Sequence, residues 1–261
     1  MTRFLPSITT HASMHTSVFI HPTAIVSPAA KLSPGVSIGA FCLIHDQVEI
    51  GENTTIEAYC ELGHPSALAP ELPLVIGAHS LIRSHSLFYQ GSTFGERLAT
   101  GHYVSVRELT TAGSNFPLGT KSDFQGHCRI GNFVRTHNNV HIGQKSVIGN
   151  FVWLFPDVLL TNDPNPPSET LFGPVIEDFA VIASKATLLP GVNIGEHAVI
   201  GAHSLVGINI DAGMFANGSP AKVICKASML RMKNNPAIKA YPWNKRFARG
   251  YPEDLVQAWS I

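Results

Sequence analysis

A large apolar residue recurs at every sixth position along most of the chain. Stepping by six from Ile20 gives Val26, Leu32, Ile38, Ile44, Ile50, Ile56 and Leu62. The register slips and resumes at Ile76, then runs through Ile82, Phe88, Phe94, Val106, Leu118, Phe124, Ile130, Ile142, Ile148 and Leu154 to Leu160, with only Thr100, Ala112 and Thr136 smaller. A second slip leads into Ile176, Ile182, Leu188, Ile194, Ile200 and Val206. This period matches neither the 3.6-residue repeat of an amphipathic helix nor the alternation of a half-buried strand. It fits a chain that turns a corner every six residues and points one aliphatic side chain per face into a triangular prism. Three hexads close a coil, so the pattern predicts an all-β parallel β-helix of about ten coils whose stacked repeats share one core. Glycine often follows the aliphatic residue, as at Gly39, Gly51, Gly131 and Gly149, which suits corners that require positive φ.

The two slips mark departures from the prism. Residues 63–75 and 161–175 are rich in proline and polar residues and read as projecting loops, where binding and catalysis tend to concentrate. The first nineteen residues form an unpatterned lead-in, and past Asp211 the repeat dissolves. The expected organisation is therefore a β-helix domain over 1–225 and a tail over 226–261, with a short helix and the aromatic string Tyr241-Pro242-Trp243.

Composition narrows the function classes. Zero formal net charge and 14% charged residues in 261 argue against a nucleic-acid binder, which normally shows a basic excess. The sequence has no apolar run long enough for a membrane helix and no basic start followed by an apolar stretch, so a cytoplasmic protein without a signal peptide is expected. Cys42, Cys60, Cys128 and Cys225 lack paired spacing and read as buried thiols in a reducing compartment.

In a regular prism, residues eighteen apart stack on adjacent coils. That rule puts Ser84, His102, Thr120 and Asn138 in one file and His85, Tyr103, Lys121 and Asn139 beside it. It sets Ser105, Asp123 and His141 in another, and His127, Lys145 and Asp163 in a fourth. Outward positions of a solenoid are normally polar, so a single histidine there is more often solvated than catalytic. Asp123 beneath His141 differs, because a carboxylate can orient an imidazole and stabilise its cation. Arg83 and Arg107 are surface charges or, with their forked donors, ligands for a diphosphate. A zinc site of the γ-class carbonic anhydrase type is weighed and set aside, since His137 and His141 are four residues apart where that family's pair is five. No metal is expected.

Several strings resemble one branch of the hexapeptide-repeat acyltransferases, the dTDP-3-amino-3,6-dideoxyhexose 3-N-acetyltransferases. They are Ile82-Arg83-Ser84, Thr100-Gly101-His102-Tyr103-Val104 with Arg107-Glu108, Thr120-Lys121-Ser122-Asp123, His137-Asn138-Asn139-Val140, Phe151 to Pro156, Thr161-Asn162-Asp163-Pro164, and Phe247-Ala248-Arg249-Gly250. The likeness spans about residues 76–250; the lead-in and the 63–75 segment depart from it. The resemblance implies a left-handed β-helix, and transfer of an acetyl group from acetyl-CoA to the amine of a nucleotide-linked sugar. It also implies a homotrimer with active sites between subunits. His102 is then the expected general base, with Asn138 or Asn139 binding the amine or the oxyanion; His141 with Asp123 is the competing base. Arg83, His85, Tyr103, Arg107, Glu108 and Asp163 are expected to contact the sugar nucleotide. Ala183, Ser184, Lys185, Gly201 and Ala202 are expected along the CoA groove. Gly218-Ser219-Pro220-Ala221-Lys222 resembles the Gly-x-Pro-Ala-Lys string of CoA-dependent relatives, which brings Pro220 and Lys222 to the same groove. O-acyl transfer, a zinc protein of the same fold and a non-catalytic scaffold stay open as alternatives.

Overall fold

The computed structural model describes residues 17–259; the lead-in up to residue 16 and the last two residues lie outside them. The fold is an all-β, left-handed parallel β-helix. Short strands, mostly two residues long, stack in three faces. The first face begins at Phe19–Ile20, the second at Ile25–Val26 and the third at Lys31–Leu32. The second face forms one unbroken sheet of ten strands and the third a sheet of nine. The first face is split between Pro117–Leu118 and Arg135–Thr136 into two sheets. The inward residues found by counting in sixes, from Ile38 to Val206, form one continuous buried core. Cys42, Cys60 and Cys128 are buried free thiols, and Cys225 is half-buried.

Adjacent coils pair in parallel with an eighteen-residue offset, as in Asp123 on His141 and Phe124 on Ile142. Two insertions stretch that offset. Glu61 pairs with Leu87 across the first, and Val147 with Val175 across the second. Both leave at the same edge, between the second and third faces. The off-prism stretches are shorter than the composition suggests: 65–73, because Glu61–His64 and Leu74–Ile76 are strands, and 161–174, because Val175 pairs. Leu74 and Ile76 are buried in the prism.

The corner chemistry also differs from the expected one. The left-handed conformation falls mostly on non-glycine residues, at most one at each corner. On the edge between the first and second faces they are Phe41, Tyr59, His85, Tyr103, Lys121, Asn139, Asp157, Lys185 and His203. Apart from Gly63, the glycines that follow the aliphatic residues have ordinary φ. They are there because the next coil occupies the space of a side chain: a Cβ on Gly119 would lie 2.2 Å from the carbonyl carbon of His137.

After Val206 the prism closes with the antiparallel hairpin Met214–Gly218 and Ala221–Lys226. The tail then folds back as two 3-10 turns, a small hairpin and the helix Glu253–Ala258. Trp243, Tyr251 and Trp259 pack with Val181 and Val199 against Phe133, Phe151 and Phe179, which stack along the edge between the third and first faces. Trp243 Nε1 donates to the Phe179 carbonyl at 3.0 Å. Arg135 lies between the rings of Trp153 and Tyr251 and donates to the Gly250 carbonyl. The tail thus covers one edge and leaves the second face and its edge with the first face open.

Replacing a glycine of ordinary φ by alanine normally gains stability by restricting the unfolded chain. Close stacking reverses that sign here: Gly119→Ala should lower stability by about 1–3 kcal/mol, read as a fall in the urea midpoint. A midpoint unchanged or raised would contradict the stacking explanation.

Candidate active site

Most of the expected site residues lie on the open edge between the first and second faces. His102 and Tyr103 are exposed there. His102 Nδ1 is 2.9 Å from Ser84 Oγ. Beneath them stands Glu57. Its carboxylate pairs with Arg83 at 3.3 Å, accepts the Ser84 N–H at 3.2 Å and lies 3.9 Å from His102 Nδ1. Arg83 is thus neutralised within its own edge. His85 stacks on Tyr103 at 4.7 Å and on Tyr59 at 5.0 Å. Two coils further on, Asn138 and Asn139 are exposed, and Asn139 Nδ2 donates to Asp157 at 3.1 Å. At roughly 4.8 Å per stacked strand, His102 and Asn138 are rooted about 10 Å apart, too far for both to grip one atom without reaching along the edge. Ala183, Ser184, Lys185, Gly201 and Ala202 continue the same edge, with Lys185 and Ala202 exposed. Pro220 and exposed Lys222 lie at and beyond the turn of the closing hairpin.

Asp123 and His141 stand on the second face, beside that edge. Their Cα atoms are paired across adjacent strands, and His141 Nδ1 lies 3.0 Å from Asp123 Oδ2. Gln125 Nε2 donates to the same oxygen at 2.5 Å. Burial pushes the Asp123 carboxyl up, but the hydrogen bonds from His141 and Gln125 and the charges of His141 and Arg107 outweigh it and hold the group below its ordinary range. The carboxylate therefore stays ionised and fixes one ring nitrogen of His141, whose other nitrogen is left for chemistry.

At the edge between the second and third faces, one expected substrate contact, Glu108, is corrected, and two others, Arg107 and Asp163, are already engaged by neighbours. Glu108 is fully buried, its carboxylate 3.0 Å from Arg107 Nη2, because the chain turns there beneath Gly126, which has no side chain to occupy the space. It is a buried counter-charge, out of reach of a ligand, and Arg107 spends one arm on it. Asp163 does not stack over Lys145, since the second insertion intervenes and Gly173 packs there instead. Asp163 accepts Ser168 Oγ–H at 2.6 Å and the N–H groups of Ser168 and Asn165. The Ser168 hydroxyl is the main cause of its lowered pKa. Its carboxylate closes its own loop, so any ligand must compete with those bonds.

His137 stacks on Phe155 at 4.8 Å, and burial together with Arg135 lowers its pKa. Phe155 in turn lines a groove between prism and tail, with Trp153, Val181, Tyr241, Trp243, Arg246 and Phe247. Glu57 escapes an eighteen-residue count because the first insertion separates it from Arg83 by 26 positions. Adding the length of the slip to the count would have found it.

Fold and repeat define a hexapeptide-repeat β-helix, and residues 29–64 match the family model described as bacterial transferase hexapeptide (six repeats). The chain is 32% identical over 105 residues to 2,3,4,5-tetrahydropyridine-2,6-dicarboxylate N-acetyltransferase of Staphylococcus aureus (strain JH9), covering 40% of this chain and 38% of that one. It therefore spans well under half the length of the curated relatives it matches. Arabidopsis UDP-N-acetylglucosamine acyltransferase superposes with a TM-score of 0.66 over 80% of this chain and 74% of that chain, at 17% identity, a likeness of fold alone. Among the described residues, no helix is long and apolar enough to cross a membrane.

A carboxylate held below its unfolded pKa of about 3.9 stabilises the fold above that pH and loses the contribution as the pH falls through the folded value. Asp123→Asn should therefore be less stable than the wild type at pH 5–7, and the gap should close below pH about 4. Paired urea titrations check this; a gap that persists undiminished at pH 3 would count against the Asp123–His141 bond.

Proposed function

We propose that the protein is an acyl-CoA-dependent N-acyltransferase that acetylates the amine of a nucleotide-linked amino-deoxy sugar, with dTDP as the carrier. The Asp123–His141 pair carries this reading. Asp123 holds Nδ1, so the free Nε2 of His141 serves as the base. It takes a proton from the sugar amine as the nitrogen attacks the thioester carbonyl. Collapse of the tetrahedral adduct breaks the C–S bond, and the imidazolium returns the proton to the departing thiolate, leaving an amide and free CoA. Backbone N–H groups, with Asn138 or Asn139 nearby on the open edge, stabilise the oxyanion.

The direct bond to an ionised carboxylate favours His141 over His102, whose Nδ1 is nearer a serine hydroxyl than Glu57. His102, His85 and Tyr103 are then substrate-side contacts. CoA lies along the edge continued by Ser184 and Lys185, with Lys222 meeting a phosphate. A second subunit of a homotrimer completes the groove. The named activity of the matched relative, an N-acetyltransferase, supports acyl transfer to nitrogen. The strings around His102, Asn138 and Asp163 support the sugar nucleotide.

Thiol release from acetyl-CoA, followed against a panel of dTDP- and UDP-linked amino sugars, tests the reading. A dTDP-amino sugar should give turnover that His141→Ala lowers by about 10²–10⁴-fold, while His102→Ala acts mainly on KM. No thiol release with any of the panel, together with no CoA binding by calorimetry, would overturn it.

A further inference from the structure

We propose that His45, Glu61 and His64 bind one divalent ion of the zinc class, at the edge where the 65–73 loop leaves the prism. His45 Nε2 and His64 Nδ1 lie 2.9 and 2.7 Å from the same oxygen, Glu61 Oε1. One donor atom from each residue falls within 4.8 Å of the other two. A tetrahedral ion at ~2.0–2.1 Å from its donors sets neighbouring donors about 3.3 Å apart, so small side-chain rotations admit it. Two imidazoles and one carboxylate are a borderline donor set, suited to zinc and poorly suited to calcium or magnesium, which take oxygen donors. All three side chains are half-buried, between 26% and 39% exposed, so three ligands are fixed while a fourth position faces solvent.

The backbone builds this convergence. In a regular coil Gly63 would occupy the register below Tyr89 and His64 would turn the corner. Instead the register shifts, and Tyr89 pairs with His64. Gly63 permits the shift by adopting φ +82°, a conformation costly for other residues. Bulges of this kind re-aim a side chain, and this one brings His64 onto the face that carries Glu61 and His45. The positions are then pinned: His45 N–H donates to the Leu62 carbonyl at 3.0 Å and Gln90 N–H to the His64 carbonyl at 3.1 Å. The Tyr89 ring packs against His64 at 4.7 Å. Two adjacent coils and the root of the loop meet at one point, so an ion there clasps the loop to the prism.

Untagged full-length protein, stripped with a chelator and dialysed, should take up one Zn²⁺ per chain in calorimetry. Co²⁺ should give the visible absorption of a tetrahedral nitrogen–oxygen site, displaced by Zn²⁺. His45→Ala and His64→Ala should each weaken Zn²⁺ binding by more than the ~10–100-fold that loss of a ligand's supporting partner costs. His64→Gln, which keeps a polar side chain of similar reach, should show the same loss with an unchanged circular dichroism spectrum. Absence of stoichiometric uptake by the wild type would overturn the proposal, as would uptake of undiminished affinity in both His45→Ala and His64→Gln.

Discussion

Each coil of the prism gives its backbone N–H groups to the carbonyls of the next, and every other feature of the molecule depends on that ladder. Asp123 N–H donates to the Val140 carbonyl and His141 N–H to the Val158 carbonyl, both at 3.0 Å. Because strands of two or three residues satisfy their polar groups only through neighbouring coils, no coil can slide by one residue without turning its aliphatic side chain out of the core. The offset is therefore fixed wherever the core is continuous. A fixed offset makes the outer surface a lattice in which sequence position determines neighbourhood. The Asp123–His141 bond is a direct product of it, as are the aromatic stacks along two of the edges.

The same ladder explains where order gives way. Both insertions leave at one edge, and coil pairing resumes on the far side of each without loss of register in the core. The prism tolerates added chain at a corner because the strands on either side still pair. What the insertions change is local. The first begins at a bulge that gathers two histidines and a glutamate; the second ties itself through Asp163. The tail occupies a different edge, where Phe133, Phe151 and Phe179 supply an apolar strip for Trp243, Tyr251 and Trp259.

Much of this was legible in the sequence, and the reasons for the rest are physical. Counting in sixes returned the buried core from Ile38 to Val206, and counting in eighteens placed Asp123 under His141, because regular backbone pairing needs no side-chain information. Glu57 was lost because the count breaks at the first insertion. His64 was lost because one glycine in the left-handed region moves it by a position, which no periodicity records. Glu108 was misread because a corner residue next to a glycine can fold inward, although outward positions are usually solvated. The repeated glycines were assigned to the turns, whereas close stacking of coils requires them. The tail's docking edge did leave a signal: phenylalanines at Phe133, Phe151 and Phe179 occupy corner positions that carry polar residues elsewhere.

The proposed function requires that stacking make Asp123 and His141 a single catalytic unit. A double-mutant cycle on kcat/KM, with Asp123→Asn, His141→Gln and the double variant, measures that coupling directly. Strong non-additivity is expected, with the double variant no slower than His141→Gln alone. Losses that simply multiply, leaving the two residues independent, would contradict it.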